Sequence, residues 1–167
     1  MKKKIRIISL TALVFPILTF ASISNGTILT PYAWGENTGW VNFMPTGGNI
    51  KVTDTALTGN AWDANYGWIN LTPAQGGVVN DGNGNLSGYA WSTGGGYINF
   101  YGVVIDSHGK FTGSANGALY GQLIFDCNHC SVTTDWIPIN ARPPAVIPLP
   151  RDLLPSKTQF LMMWFAP

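Results

Sequence analysis

Polar and apolar residues alternate along this chain in a pattern that recurs at intervals of 25 to 29 residues. Side chains in a strand point alternately to opposite faces, so Trp68 and Asn70 share one face while Ile69 and Leu71 share the other. Each recurrence also places an alanine seven residues before the aromatic position or its counterpart. The four stretches are GWVNF at 39–43, GWINL at 67–71, GYINF at 96–100 and the more divergent GQLIF at 121–125.

The segments between these stretches carry turn-forming residues. TDTALTG (53–59), DGNGNLSG (81–88) and DSHGKFTG (106–113) each place an aspartate before a turn and end in an apolar residue, Ser or Thr, and Gly. Asp, Asn and Gly favour tight turns, and no window shows a helical period. We therefore predict an all-β tandem-repeat domain of about four units of 25–29 residues, built from short antiparallel strands. A solenoid, a prism and a two-sheet sandwich all remain open.

Both faces of these strands carry large side chains, which predicts that neighbouring units cover one another. Our main interpretation places the recurring tryptophans in the core, because burying an aromatic ring removes about 150–250 Å² from water. The fourth stretch has Asn116 and Gln122 at the aromatic positions, which predicts a polar capping unit at the end of a stack. The tryptophans in question are Trp34, Trp40, Trp62, Trp68 and Trp91.

The alternative is that some of these rings are exposed and bind carbohydrate. Aromatic faces stack on the C–H groups of sugar rings, while nearby amides bond to hydroxyls. The candidate ligand-binding residues under this alternative are Trp34, Trp62, Trp91 and Asn60. A long exposed aromatic stripe would also favour self-association.

The N-terminal residues predict export. Basic residues at positions 2–6 precede an apolar run at 7–20, which is shorter than the ~20 residues of a membrane span. We predict a cleaved signal peptide at 1–21, with an uncleaved anchor as the alternative, followed by a β-repeat domain at 22–136. Residues 137–167 form a proline-rich tail. Its end is either faintly similar to a sortase sorting signal or an interrupted reading frame of a longer surface protein.

The charge balance argues against nucleic acid as a partner. Charged residues make up only 10% of the chain, and the net charge of +1 comes from the basic signal segment. Residues 22–136 carry more acidic than basic side chains, so little is available to neutralise phosphates. We predict contact with a membrane only through the signal segment, and only if that segment stays uncleaved.

The two cysteines predict one structural disulfide. Cys127 and Cys130 are separated by two residues in an exported chain, where thiol pairs usually oxidise. A redox-active pair would need a thioredoxin-like setting, and a zinc site would have to recruit His129 and His108.

DGNGN (81–85) imitates the start of a calcium loop but has Ser92 where the bidentate glutamate should stand. We read this segment as a turn.

Catalytic patterns are scarce. The sequence has neither a G-x-S-x-G nor a phosphate-binding loop, and its acids fall at turn positions of the repeat. We predict a non-enzymatic protein without a cofactor or a metal.

The units YAWGENTGWVNF, NAWDANYGWINL and GYAWSTGGGYINF, with FDCNHCSVTTDW, resemble a loosely defined group of exported bacterial proteins with tandem G-Y-A-W…G-W-I-N-F repeats. The likeness covers about residues 31–136 and implies export, an extracellular or cell-envelope location and a repeat fold. We expect a secreted or cell-surface structural or interaction module. A carbohydrate-binding module is the alternative. Extracellular polysaccharide and other envelope proteins are the expected partners.

Overall fold

A computed structural model describes residues 24–144 of the chain. The predicted signal peptide at 1–21 and the tail beyond residue 144 lie outside the described residues. Within residues 24–144, no helix is long and apolar enough to cross a membrane. The strands are β1 (Asn25–Gly35), β2 (Gly39–Asn42), β3 (Lys51–Thr53), β4 (Ala56–Thr58), β5 (Asn60–Asp63), β6 (Gly67–Asn70), β7 (Gly77–Asn80), β8 (Leu86–Ser92), β9 (Gly96–Asn99), β10 (Val104–Ile105), β11 (Phe111–Thr112), β12 (Ser114–Gly117), β13 (Gly121–Ile124) and β14 (Ser131–Thr134), followed by a 3-10 turn at Ile139–Ala141.

Four hairpins close into an antiparallel barrel of eight strands. Hairpin 1 is β1–β2, hairpin 2 is β5–β6, hairpin 3 is β8–β9 and hairpin 4 is β12–β13. Each hairpin pairs with the next, and β13 pairs with β1 to complete the ring. The predicted all-β class of short antiparallel strands is therefore confirmed. The closed barrel is none of the three arrangements that the sequence left open.

The hairpins share one register, which sorts the residues into an inner and an outer face. In every hairpin an alanine of the first strand lies opposite an aliphatic residue of the second, and both are buried. Small residues opposite larger ones fit the narrow interior of a barrel that side chains fill completely. The inward pairs are Ala33 with Val41, Ala61 with Ile69, Ala90 with Ile98 and Ala115 with Leu123.

The turns of the four hairpins lie at one end of the barrel and bond to one another. Each turn returns to the strand through a glycine with a positive φ, between 66° and 80°, a conformation that side chains with a Cβ rarely adopt. Thr38 of hairpin 1 donates to the buried carboxylate of Asp63 in hairpin 2. Ser92 of hairpin 3 donates to the carbonyl of Tyr66 in hairpin 2 at 3.0 Å. The turn end is thus held by hydrogen bonds that run from hairpin to hairpin.

Tyr120 of hairpin 4 fills the middle of this end. Its ring packs edge-on against Tyr66, with 5.0 Å between centroids, and it is completely buried. Burial raises the pKa of Tyr120 to about 12 because the phenolate would lose its hydration. The hydroxyl of Ser92 lies near enough to oppose this rise in pKa, yet the Tyr120 hydroxyl makes no bond of good geometry among the described residues.

A second tier of hairpins covers the opposite end. It consists of β3–β4, β7 with the start of β8, β10–β11, and β14 with the first half of β1. The last of these joins the two ends of the described chain. Thr134 donates to the carbonyl of Thr27 at 2.8 Å, and the amide of Thr27 donates to Asp135. The first half of β1 therefore pairs with β14, near the other end of the described chain, to form the last hairpin of the second tier.

The core extends from the barrel interior into the space between the barrel and this second tier. One side chain following each barrel hairpin is fully buried there, and the four are Phe43, Leu71, Phe100 and Phe125. Trp136 is also fully buried, and its indole donates to Asp54 at 2.8 Å. Arg142 bonds to the same carboxylate and lies over the Trp136 ring at 5.5 Å. This contact fastens residues 136–142 to the turn between β3 and β4.

Candidate functional site

The recurring tryptophans face outward, which overturns our main expectation that they form the core. Trp34, Trp62 and Trp91 are 38–39% exposed, and Trp40 and Trp68 are each 46% exposed. Among residues 24–144, only Trp136 is a buried tryptophan. The barrel is closed by a single layer of strands, so its inner face is covered while its outer face meets solvent.

The outward rings form a surface that we name the aromatic belt. It extends over hairpins 1 to 3, and each member is 38–47% exposed. Rings on paired strands meet edge to face: Trp34 and Trp40 have centroids 5.2 Å apart, and Trp62 and Trp68 are 5.1 Å apart. Such contacts contribute about 0.5–1.5 kcal/mol per pair and fix the ring orientations. The belt consists of Tyr32, Trp34, Trp40, Trp62, Trp68, Tyr89, Trp91 and Tyr97.

Three of the four predicted ligand-binding residues belong to the belt. Trp34, Trp62 and Trp91 lie on β1, β5 and β8, each separated from the next by one intervening strand. The structure therefore distributes them around the barrel and does not gather them in one pocket. Asn60 is half-buried on the outward face of β5, on the same strand as Trp62, and its Cα partner is Asn70.

The asparagine of each of the stretches GWVN, GWIN and GYIN has a structural role that the sequence analysis missed. The Oδ1 of Asn42 accepts the amide of Met44 at 2.8 Å, and the Oδ1 of Asn70 accepts that of Thr72 at 2.9 Å. Asn99 does the same for Tyr101 at 2.9 Å. These are Asx turns, which end the strand two residues beyond the aromatic ring. The spacing of asparagine from the following Pro/Gly loop was the signal that could have identified them.

Shallow grooves lie beside the belt at hairpins 1 and 3. One has a volume of about 330 Å³ and is lined by Tyr32 and Trp40. The other has a volume of about 280 Å³ and is lined by Gln75, Tyr89 and Tyr97. Their walls are mainly aromatic, so they offer flat apolar faces.

Hairpin 4 interrupts the belt, but it does not cap a stack. Asn116 and Gln122 occupy the positions that aromatic residues hold in the other hairpins, and they face outward. The pairing of β13 with β1 leaves no open end to cover. The expectation of a capping unit is therefore wrong, since a closed barrel has no terminal strand on this path.

The cysteine pair agrees with the disulfide prediction. Cys127 and Cys130 are bonded to each other and close the turn before β14. His129 and His108 lie in exposed turns. Within residues 24–144, no three His, Cys, Asp or Glu side chains gather closely enough to hold a metal ion.

The calcium-like segment is organised as a turn. Asp81 accepts the amides of Asn83 and Asn85 and the side-chain amide of Asn85 at 2.7–3.1 Å. These bonds, with the Asn85 side chain first, hold the pKa of Asp81 below its usual value. Its carboxylate is thus occupied by its own loop.

The comparisons with known proteins do not assign the chain to a family. No family model matches it, and no match is found among the curated proteins or the solved structures. The case for function therefore rests on the geometry described above.

Proposed function

We propose that the protein is a secreted or cell-surface interaction module of non-catalytic type, and that the aromatic belt is its working surface. The observation that carries this proposal is the exposure of eight aromatic rings on the outer face of the barrel. Each of hairpins 1 to 3 carries its own cluster of rings in edge-to-face contact. Clustered aromatic rings that face water are typical of interaction surfaces.

The proposal includes the tandem organisation of the chain. Each unit of 25–29 residues would supply one barrel hairpin and one hairpin of the second tier. The shared register of the four hairpins supports this, and so does the completion of the last second-tier hairpin by the N-terminal strand. In the second tier, an aspartate directly follows one strand of each hairpin, and the four are Asp54, Asp81, Asp106 and Asp135. The resemblance to exported repeat proteins is consistent with this organisation.

Carbohydrate binding is the form of interaction that the belt favours. The grooves beside Trp40 and Tyr97 are lined by flat rings, which suit stacking on sugar C–H groups. The Oδ1 atoms of the belt-edge asparagines Asn42, Asn70 and Asn99 accept hydrogen bonds in Asx turns. Within residues 24–144, their Nδ2 groups have no hydrogen-bond partner and can donate to a ligand. Rings with adjacent amide donors fit a neutral extracellular polysaccharide. A charged partner would find few complementary groups there.

The test is retention of the exported chain on insoluble polysaccharide. The protein is mixed with cellulose, chitin or purified cell walls, and the fraction left in solution is measured. A variant carrying Trp34→Thr, Trp62→Thr and Trp91→Thr removes three rings but keeps residues that favour strands. Leu29→Thr is the matched control, because Leu29 is exposed, apolar and outside the belt.

We expect at least one of these surfaces to retain the wild-type chain and the control while it loses the triple variant. Equal retention of all three proteins would contradict the role of the belt. Failure of every surface to retain the wild type would contradict carbohydrate binding. Concentration-dependent association in sedimentation velocity that disappears in the triple variant would then indicate a protein partner for the belt.

A further inference from the structure

Hairpin 4 departs from its neighbours on one face only. Its inward residues keep the common pattern, with Ala115 opposite Leu123 and both fully buried. Its outward pair is Asn116 opposite Gln122, where hairpin 2 has Trp62 opposite Trp68. Packing of the barrel interior therefore does not explain why Asn116 and Gln122 replace the aromatic pair. The explanation has to concern the outer surface of hairpin 4.

The polar pair lies in an open depression of about 440 Å³. Because the depression is open, a ligand there would lie against its floor and keep one side in water. Small residues keep the depression open, because hairpin 4 contributes Gly117, Ala118 and Gly121 to its lining. The remaining lining comes from Glu36 in the turn of hairpin 1, Asn99 on β9, and the pair Asn116 and Gln122.

The polar groups of the depression are held in place by the backbone around them. Glu36 accepts the amide of Gln122 at 3.0 Å through one carboxylate oxygen, and its own amide donates to the Gln122 carbonyl at 2.9 Å. Asn99 is fixed by its Asx turn and lies opposite Asn116 across the β9–β12 pairing. These bonds position the Glu36 and Asn99 side chains before any ligand arrives, which lowers the entropic cost of binding at those two contacts.

The donor and acceptor set favours hydroxyl groups. Three side-chain amides supply both donors and acceptors, and the Glu36 carboxylate supplies acceptors. A sugar hydroxyl both donates and accepts, so it can pair with either kind of group. The single charge in the lining is negative, which disfavours phosphate and acidic sugars. Aromatic rings stand on the adjoining strands, with Trp34 on β1 beside β13 and Tyr97 on β9 beside β12.

We propose that the depression over hairpin 4 is a binding site for a neutral carbohydrate, with Asn99, Asn116, Gln122 and Glu36 as its polar contacts. The inference draws its ligand class from the proposed carbohydrate-binding role and shares Asn99 with the edge of the belt, whereas Asn116, Gln122 and Glu36 lie outside the belt. Hairpin 4 is polar because a flat ring at either position would fill the space that the sugar occupies.

The experiment is a titration of the full exported chain with cellohexaose, maltohexaose and chitohexaose, followed by the side-chain amide NMR signals of Asn99, Asn116 and Gln122. The site variant is Asn116→Trp with Gln122→Trp, which gives hairpin 4 the outward pair of hairpin 2. The matched control makes the reverse exchange, Trp62→Asn with Trp68→Gln. Both variants change only outward positions, and the amide spectrum reports whether each is folded.

At least one oligosaccharide is expected to shift the three amide signals saturably. The site variant, which is followed through the one remaining signal, that of Asn99, should lose at least about tenfold in affinity, or ~1.4 kcal/mol, while the control stays close to the wild type. The proposal is overturned if no oligosaccharide shifts these signals, or if the site variant binds as well as the wild type. Loss of binding in the control alone would assign the sugar to the belt and likewise refute the site at hairpin 4. Binding at hairpin 4 together with no retention on polysaccharide through the belt would support the site at hairpin 4 and contradict the proposed role of the belt.

Discussion

The inner and outer faces of the barrel strands follow different rules, although both are apolar. The inner face alternates alanine with Val, Ile or Leu in all four hairpins, and every one of these residues is buried. The outer face carries eight exposed rings on three hairpins and amides on the fourth. The inner pattern is thus shared by all the hairpins, whereas the outer pattern varies.

This difference separates what the fold requires from what the surface presents. A narrow barrel has room for only small and medium side chains at its centre, so the inner face is restricted by volume. The outer face has no such limit, and large rings there gain only partial burial from one another. Rings that folding does not require are the ones we assign to interaction.

The largest expected effect comes from removing an inner ring. Phe100→Ala empties a fully buried position, so it should lower the free energy of unfolding by about 3–5 kcal/mol. Tyr97→Ala, three residues earlier on the outer face, should cost about 1 kcal/mol. Chemical denaturation of both variants checks the contrast. Similar losses at the two positions would mean that the outer rings are as important to folding as the inner ones.

A smaller effect is expected from overfilling the interior. Ala61→Leu adds three carbons inside the barrel and should destabilise the protein by about 1–3 kcal/mol. Asn60→Leu places the same side chain on the outward face of the preceding residue and should change stability by about 0.5 kcal/mol or less. Thermal unfolding of the two variants compares them directly. If both are tolerated equally, the barrel interior is not the tightly filled space described here.

The closed turn end predicts a sensitivity to alkali. The raised pKa of Tyr120 means that the folded protein favours the neutral phenol, so its stability should be intact below about pH 10 and fall as the pH approaches about 12. Tyr120→Phe should flatten that fall. The same change removes a buried hydroxyl without a bond of good geometry, which should stabilise the protein by about 1 kcal/mol at neutral pH. Denaturation at several pH values measures both effects, and an unchanged alkaline profile in the variant would contradict the burial of Tyr120.

The smallest effect concerns the far end of the molecule. Hydrogen bonds from Arg142, followed by one from the Trp136 indole, hold the pKa of Asp54 below its usual value despite some desolvation. A lowered folded-state pKa contributes stability above the unfolded value of about 3.9, and this stability is lost as the pH falls through the folded value. Asp54→Asn should therefore reduce the dependence of stability on pH in the acid range. Part of the pH dependence should remain in the Asp54→Asn variant, because the pKa of Asp81 is also lowered.

The sequence predicted the all-β class and the turns because alternation and turn residues act locally. The all-β class, the turns after Asp81 and Asp106 and the disulfide of Cys127 with Cys130 follow from residues close together in the chain. Closure of the barrel could not be predicted in this way. It depends on pairing of β13 with β1, whose partners Trp34 and Ile124 are far apart in the chain.

The assignment of faces failed for a related reason. With two apolar faces, alternation alone does not say which one is inside, and the larger rings suggested the core. The alanines carried the opposite signal, since Ala33, Ala61, Ala90 and Ala115 recur where a closed barrel is narrowest. The same error made Asn116 and Gln122 look like a cap.

Fluorine NMR of the protein labelled with 5-fluorotryptophan tests the central claim most directly. Single Trp→Phe variants assign the seven resonances, and each resonance is then compared between H₂O and D₂O. We predict a solvent isotope shift for Trp34, Trp40, Trp62, Trp68 and Trp91, and none for Trp136, the buried internal control. If the five belt resonances show as little shift as Trp136, the belt is core and the proposed working surface does not exist.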